Sequence, residues 1–199
     1  LINRAAVNEL AAGVRTLAGE ADLEVRGGRA GFPEALYAQL ARLPGVAVAS
    51  PVLDVEAGIA EAEIAEGGIA GSGRTIRLIG IDALRAGLIQ PALFADEPQR
   101  RLELLKPDTV FLSSNAFEVL KKEKNQKLKV ISGLKTVDLE IAGVLPASSL
   151  RGIAALTDIS TAQWRLERLG ELNRIDLRLE PGAGREAMRG KIAALLPPG

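Results

Sequence analysis

The sequence predicts an α+β fold in which an α/β layer is split by a β-rich insertion. Three observations predict it. The first 60 residues alternate helical and strand periodicity, in the order α-β-α-β. The last 49, from 151 to 199, run β-α-β-α and so resemble the opening. Between them, residues 61–150 are dominated by short alternating runs separated by turn residues. This divides the chain into a discontinuous α/β subdomain, 1–60 with 151–199, and an inserted β-rich subdomain, 61–150. Split ferredoxin-like arrangements are built this way.

In order, residues 1–18 place Val7, Leu10, Val14 and Leu17 at helical spacing, with Gly19 as a stop. ADLEVRG follows as a short strand with Leu23 and Val25 inward. In GFPEALYAQLARLPG, Pro33 suits a first helical turn, Leu36, Tyr37, Leu40 and Leu43 form a stripe, and Pro44-Gly45 end it. VAVASPVLDVEAGIA is rich in β-branched residues and reads as a strand, kinked or placed at an edge by Pro51. Residues 61–82 read as two alternating runs around a Gly-rich turn, and 83–106, punctuated by proline, as irregular. DTVFL is a short strand, SSNAFEVLKK a short helix, LKVISG and VDLEIAGVL two strands. GIAALTDI is a strand and STAQWRLERLG a helix, with Ile159, Ala162, Leu166 and Leu169 on one side and Gly170 as its cap. NRIDLRLE alternates Ile175, Leu177 and Leu179, and GREAMRGKIAALL closes the chain as a helix.

Composition narrows the chemistry. The 199 residues suffice for one large domain or two small ones. Hydrophobic residues make up 47% and aromatic residues only 3%, so Leu, Ile, Val and Ala must build the core. There are 25 basic and 25 acidic residues, and no basic surplus to suggest a nucleic-acid partner. The chain contains neither Cys nor His, which removes Ser-His-Asp and Cys-His catalysis and argues against zinc. No stretch approaches the roughly 20 apolar residues of a membrane span, and there is no signal peptide. The chain starts at Leu1 rather than Met and stops at LLPPG, and so reads as a piece of a longer protein.

Each candidate site has a structural reading beside the functional one. Gly68 to Thr75 spells G-x-x-x-x-G-R-T, a phosphate loop with Arg74 in place of Lys. Such a loop needs a helix directly after it, whereas TIRLIGID has the period of a strand, so a hairpin turn is expected. Ser113 or Ser114 would need a neighbouring base to act as a nucleophile. Helix capping by Ser114 or Asn115, with Asn115 and Glu118 as a capping box, accounts for the same residues. The basic run KKEKNQKLK, with Lys121, Lys122, Lys124, Lys127 and Lys129, is either a solvated helix end or a contact for anionic lipid head groups. Asp54 and Glu56 point to one face of a strand, and Glu61, Glu63 and Glu66 fringe the hairpin, but too few aromatics are present to line a sugar cleft. Trp164 lies off its helix stripe beside Arg165 and Arg168. It reads as a boundary packing residue, unless exposed, when it would mark a partner surface. No catalytic, cofactor-binding or metal-binding residue is expected.

Several segments together resemble the extracytoplasmic (periplasmic) core domain of FtsX/MacB-type ABC transporter permeases, over nearly the whole chain. ARLPGVAVASPVL is similar to the family's L-x-x-L-P-G-V-x-x-x-x-P segment, and RTIRLIGID to its V-x-G-I-D strand. TVFLSSNAFEVL with VDLEIAGVLP resembles V-x-L-S-x-x-x-A-x-x-L followed by x-F-x-V-x-G-V-L. GIAALTDISTAQWRLERLGELNRIDLRLEPGA is similar to the return segment D-I-x-x-A-Q … I-x-V-x-L. One departure is KKEKNQKLKV, which lacks the family's Gly-Asp turn at that place.

The resemblance implies a porter-like α/β layer with an inserted, Sabre-like β-rich lobe, anchored in the cell inner membrane and facing the periplasm. It implies no catalysis. ATP would be hydrolysed by a cytoplasmic ATPase subunit, and this domain would carry the motion to substrates or to an extracytoplasmic partner protein, in export or lipid and lipoprotein handling. A second permease copy or half would be its neighbour. The alternative from another class is a soluble phosphate- or nucleotide-binding protein using the Gly68–Thr75 loop. A third reading places a lipid or small ligand between the lobes.

Overall fold

The computed structural model describes residues 5–9, 21–28, 30–60, 75–94, 97–147 and 149–196. Its strands are β1 (Ala5–Glu9), β2 (Leu23–Gly27), β3 (Phe32–Pro33), β4 (Val46–Ile59), β5 (Thr75–Ile81), β6 (Thr109–Leu112), β7 (Lys127–Ser132), β8 (Lys135–Val144), β9 (Ala154–Asp158), β10 (Glu171–Leu172) and β11 (Arg174–Leu179). Its helices are α1 (Ala35–Leu40), α2 (Ala83–Ile89), α3 (Gln99–Leu104), α4 (Ser114–Leu120), α5 (Ile159–Arg165) and α6 (Arg185–Ala193), with a 3-10 turn at Pro91–Leu93.

One nine-stranded sheet, in the order β1-β2-β11-β4-β5-β9-β6-β8-β7, runs through the molecule. Its far edge returns on itself, because Gly58 and Ile59 of β4 pair with Ile131 and Val130 of β7. Strands β4, β5, β9, β6, β8 and β7 therefore close into a barrel through a short seam of two residue pairs. The inward positions follow the period of two: Leu53, Ala57 and Ile59 on β4, Ile76 and Leu78 on β5, Leu128 and Val130 on β7, and Val137, Leu139 and Ile141 on β8. Ala116 and Leu120 of α4, Ala162 of α5 and Leu166 just after it join this interior. A second core lies under the open part of the sheet. Leu23 and Val25 of β2, Ile175 and Leu177 of β11, Leu36 and Leu40 of α1, and Met188 and Ile192 of α6 fill it. β9 and α5, which the sequence groups with the closing α/β segment, contribute Ala155, Ala162 and Leu166 to the barrel cluster.

The structure corrects four expectations about elements. Residues 5–9 lie in a strand rather than a helix, with Ala5 to Glu9 paired to Gly27 to Leu23. The outer edge of β2 offers main-chain groups that this segment satisfies. The remainder of that expected helix lies outside the described residues. Phe32 and Pro33 pair with Leu172 and Glu171, so α1 starts after Pro33 rather than on it. Within the stretch expected to be irregular, residues 83–89, 91–93 and 99–104 are helical. Asp82 Oδ1 accepts from the Leu84 and Arg85 amides at 2.9 and 3.1 Å and starts α2. Pro91 and Pro98 stand at the beginnings of the next helical turns, where their missing N–H costs nothing. Finally, α5 stops at Arg165, with Glu167 left-handed at φ 58°. Leu169 is thereby released from the stripe and is exposed.

Candidate functional site

β4 is the element that belongs to both parts. Val46 to Val52 pair with β11, and Val52 to Gly58 pair with β5. The two ladders overlap only at Val52, so Pro51 sits where β4 has one partner, as its missing N–H requires. At this handover the strand would be free to splay. Instead, Asn173, at the start of β11, holds it. The Asp54 amide donates to Asn173 Oδ1 at 2.7 Å, and Asn173 Nδ2 donates back to the Asp54 carbonyl. The Asn173 amide also reaches the Val52 carbonyl at 3.3 Å, and its own carbonyl accepts from the Gly27 amide at 2.8 Å. One residue thus ties β2, β11 and β4 together.

The Asp54 side chain extends the joint to β5. Arg77 meets it as a two-pronged pair, Nε to Oδ1 at 2.7 Å and a terminal nitrogen to Oδ2 at 2.6 Å. These bonds hold the Arg77 guanidinium pKa above its ordinary value. Arg174, mostly buried, approaches the same carboxylate at 3.8 Å. Arg26 and Glu24 pair on β2 at 2.7 and 3.0 Å, and the bond to Glu24 raises the Arg26 pKa. The joint is therefore a strip of ion pairs across β2, β11, β4 and β5.

An open cleft of about 600 Å³ adjoins it, between β4, the β7–β8 turn and the end of α5. Asp54, Val55, Glu56, Leu166 and Glu167 line it. Asp54 and Glu56 do share a face, as the strand period requires, but Asp54 is committed to two arginines and Glu56 is exposed. They form no acid pair for hydrolysis. Glu61, Glu63 and Glu66 lie outside the described residues.

The other sequence candidates find structural roles. Residues 68–74 of the Gly-rich run, Arg74 included, lie outside the described residues, but Thr75 begins β5, which pairs antiparallel with β4. A strand, not a helix, follows the Gly-rich run. The helix N-terminus that a phosphate loop uses is absent there. Ser113, rather than Ser114 or Asn115, caps α4: its Oγ accepts from the Ala116 amide at 3.1 Å. It also donates to the Gly152 carbonyl at 2.8 Å and accepts from the Ala154 amide at 3.2 Å, which consumes the hydroxyl. Ser114 Oγ instead donates to the Leu145 carbonyl at 3.3 Å, and Asn115 and Glu118 are exposed. The basic run leads from the end of α4 into the β7–β8 hairpin. Lys127 and Lys129 stand opposite Glu140 and Asp138 across β7 and β8, and Lys124 pairs with Glu103 at 3.5 Å. Such opposed pairs each add a few tenths of a kcal/mol to about 1.

Trp164 is 67% exposed and not a boundary residue. It stands about 200° around the helix from Ala162, which faces the core. Its neighbour Arg165 chelates Asp108, and Arg168 pairs with Glu171 at 2.8 Å. Leu134 at the β7–β8 turn is wholly exposed, beside Gly133 at φ 60°, the first-position glycine of a two-residue hairpin loop. Among the described residues there is no group of acidic side chains that could hold a metal ion, and no helix is long and apolar enough to cross a membrane.

No protein-family model matches the chain, and no curated protein matches it. Solved structures do. The extracellular domain of the noncanonic ABC-type transporter YknZ from Gram-positive bacteria aligns at TM-score 0.59 and 15% identity, over 85% of this chain and 84% of that one. The periplasmic region of MacB from Actinobacillus actinomycetemcomitans aligns at TM-score 0.54 and 11% identity, over 96% of this chain and 81% of that one. At such identities the likeness is one of fold. The chain has the mixed α+β fold of the extracytoplasmic domains of MacB-like ABC transporter permeases, the family its sequence resembles.

Proposed function

We propose that this chain is the extracytoplasmic domain of an ABC transporter permease, a non-catalytic module that carries ATP-driven motion to a substrate or a partner protein. The observation that carries this reading is the fold match to two such domains, each over more than four-fifths of both chains. The parent protein would lie in the inner membrane, with a cytoplasmic ATPase and a second permease copy or half as partners.

The internal construction supports a transmitting role. The open-sheet core draws on residues 23–49 and 172–192, and the barrel core on residues 53–166. We read the first as the porter-like layer, 1–60 with 151–199, and the second as the inserted Sabre-like lobe, 61–150, completed by β4, β9 and α5 of the layer. β4 is common to both, and Asn173, Asp54 and Arg77 clamp it where it passes between them. A displacement of the layer then moves the barrel with it rather than being lost at a loose linker.

Expression of the complete protein tests the reading. It should fractionate with membranes and resist alkaline carbonate extraction. Recovery of the full-length protein in the soluble fraction overturns it.

A further inference from the structure

On the face of β2 and β11 turned away from the α1–α6 core, the register sets like charges opposite one another. Asp176 pairs with Glu24, and Arg174 with Arg26. Like charges directly opposed across strands are destabilising, and burial sharpens the repulsion. Both carboxylates are buried, Glu24 at 5% and Asp176 at 4% exposure. Glu24 is chelated by Arg26. Asp176 is held less completely: Arg174 Nε forms an ion pair with its Oδ1 at 3.1 Å, but without the alignment of a good hydrogen bond, and no second donor among the described residues reaches that oxygen. On its other side Asp176 pairs with Ser50 of β4, whose hydroxyl is 2% exposed and also unsatisfied. Asp176 thus lies in register with a buried, unsatisfied hydroxyl on one side and a buried carboxylate on the other.

We infer that this face is a proton-binding site, in which Asp176 takes a proton from solution and becomes a neutral acid. One proton removes one of two opposed, buried negative charges. The charged groups acting on Asp176 are Arg174 and Arg26, which favour its ionised form, and Glu24, which opposes it; burial outweighs them and pushes the Asp176 pKa up from its ordinary 3.8.

The site reaches the joint through Arg174. Its guanidinium lies 3.1 Å from Asp176 and 3.8 Å from Asp54. When Asp176 is neutral, Arg174 serves Asp54 alone, so acid tightens the clamp on β4. The inference concerns the protonation of this chain and stands whether or not the transport reading does.

A carboxyl-carbon NMR titration of the 199-residue chain, with aspartate labelled, tests it. Asp176 is assigned by loss of its resonance in Asp176→Asn. The expected result is an Asp176 midpoint above the ordinary carboxylate range. In Glu24→Gln, where the opposing charge is gone, the midpoint moves down. An Asp176 that titrates at or below its ordinary value in the parent chain overturns the inference, as does a midpoint that Glu24→Gln leaves in place. If either variant fails to fold, the pH dependence of unfolding of the parent decides. Stability must fall as pH rises above the ordinary carboxylate range, since the folded state then loses a proton it holds more tightly than the unfolded chain. A stability that only rises across that range overturns the inference.

Discussion

Asn173 holds both main-chain groups of Asp54, accepting from its amide at 2.7 Å and donating to its carbonyl, across 119 residues of sequence. A side chain here completes a ladder that neither β5 nor β11 can complete alone.

Replacing Asn173 with Ala removes both bonds and leaves two partly buried main-chain groups unmatched. The expected cost is about 2 kcal/mol. Urea unfolding of the two chains measures it. A loss below a few tenths of a kcal/mol would mean the joint does not depend on this side chain.

Asp54 serves Arg77 and Arg174 together. Asp54→Ala leaves Arg174, only 12% exposed in its side chain, with a single misaligned carboxylate. Arg77, at 42%, can turn to water, which discounts its share. The predicted destabilisation is about 2–3 kcal/mol. Arg77→Gln should cost less than Asp54→Ala, and the opposite ranking would contradict the assignment of Asp54 as the hub.

Gly80 lies where α5 crosses β5. A Cβ there would stand 2.4 Å from the Ala162 Cβ and 3.3 Å from the Ile159 Cα. Gly80→Ala should destabilise the chain by about 1–3 kcal/mol despite the smaller entropy of its unfolded state. Adding Ala162→Gly should recover part of that loss. Strictly additive effects in this double-mutant cycle would show that the two residues do not touch.

Arg165 holds the Asp108 carboxyl below its ordinary range through hydrogen bonds and charge. A lowered folded pKa gives stability that is present above the ordinary value of 3.8 and is lost as pH falls through the folded one. Arg165→Gln should therefore narrow the gap between stability at neutral pH and at pH below that value. The effect is small, since both groups face solvent. Superimposable pH profiles for parent and variant would remove the pair from the account.

Trp164, the chain's one tryptophan, is 67% exposed. Its fluorescence should emit at the wavelength of indole in water and be quenched by acrylamide nearly as well folded as unfolded. A blue-shifted, protected emission would place it in an interface or core instead.

Much of this fold could be read in the sequence because strands with one buried face advertise it. The alternation of Ile175, Leu177 and Leu179 located β11, and the run LKVISG located β7. Elements set by tertiary pairing were not legible. Ala5–Glu9 has no strand signal of its own and is a strand because β2 offers an edge. α2 was hidden because Asp82 closes the TIRLIGID run, and its part as a helix cap shows only in three dimensions. Ser113 took the cap expected of Ser114 or Asn115, a shift of the kind that local pattern cannot resolve. The joint was half visible: Asp54 stood out beside Glu56, whereas Asn173 was only the first residue of the strand NRIDLRLE. Nothing local links Asn173 to a strand more than a hundred positions away.

The central claim, that this domain faces the space outside the cytoplasm, is tested most directly by labelling. Leu134 is fully exposed at a hairpin tip, and the chain has no cysteine of its own. Leu134→Cys, in a complete protein otherwise free of cysteine, should react with a membrane-impermeant maleimide in intact cells as completely as after lysis. Labelling that appears only once the cells are broken would place the domain in the cytoplasm and contradict the account.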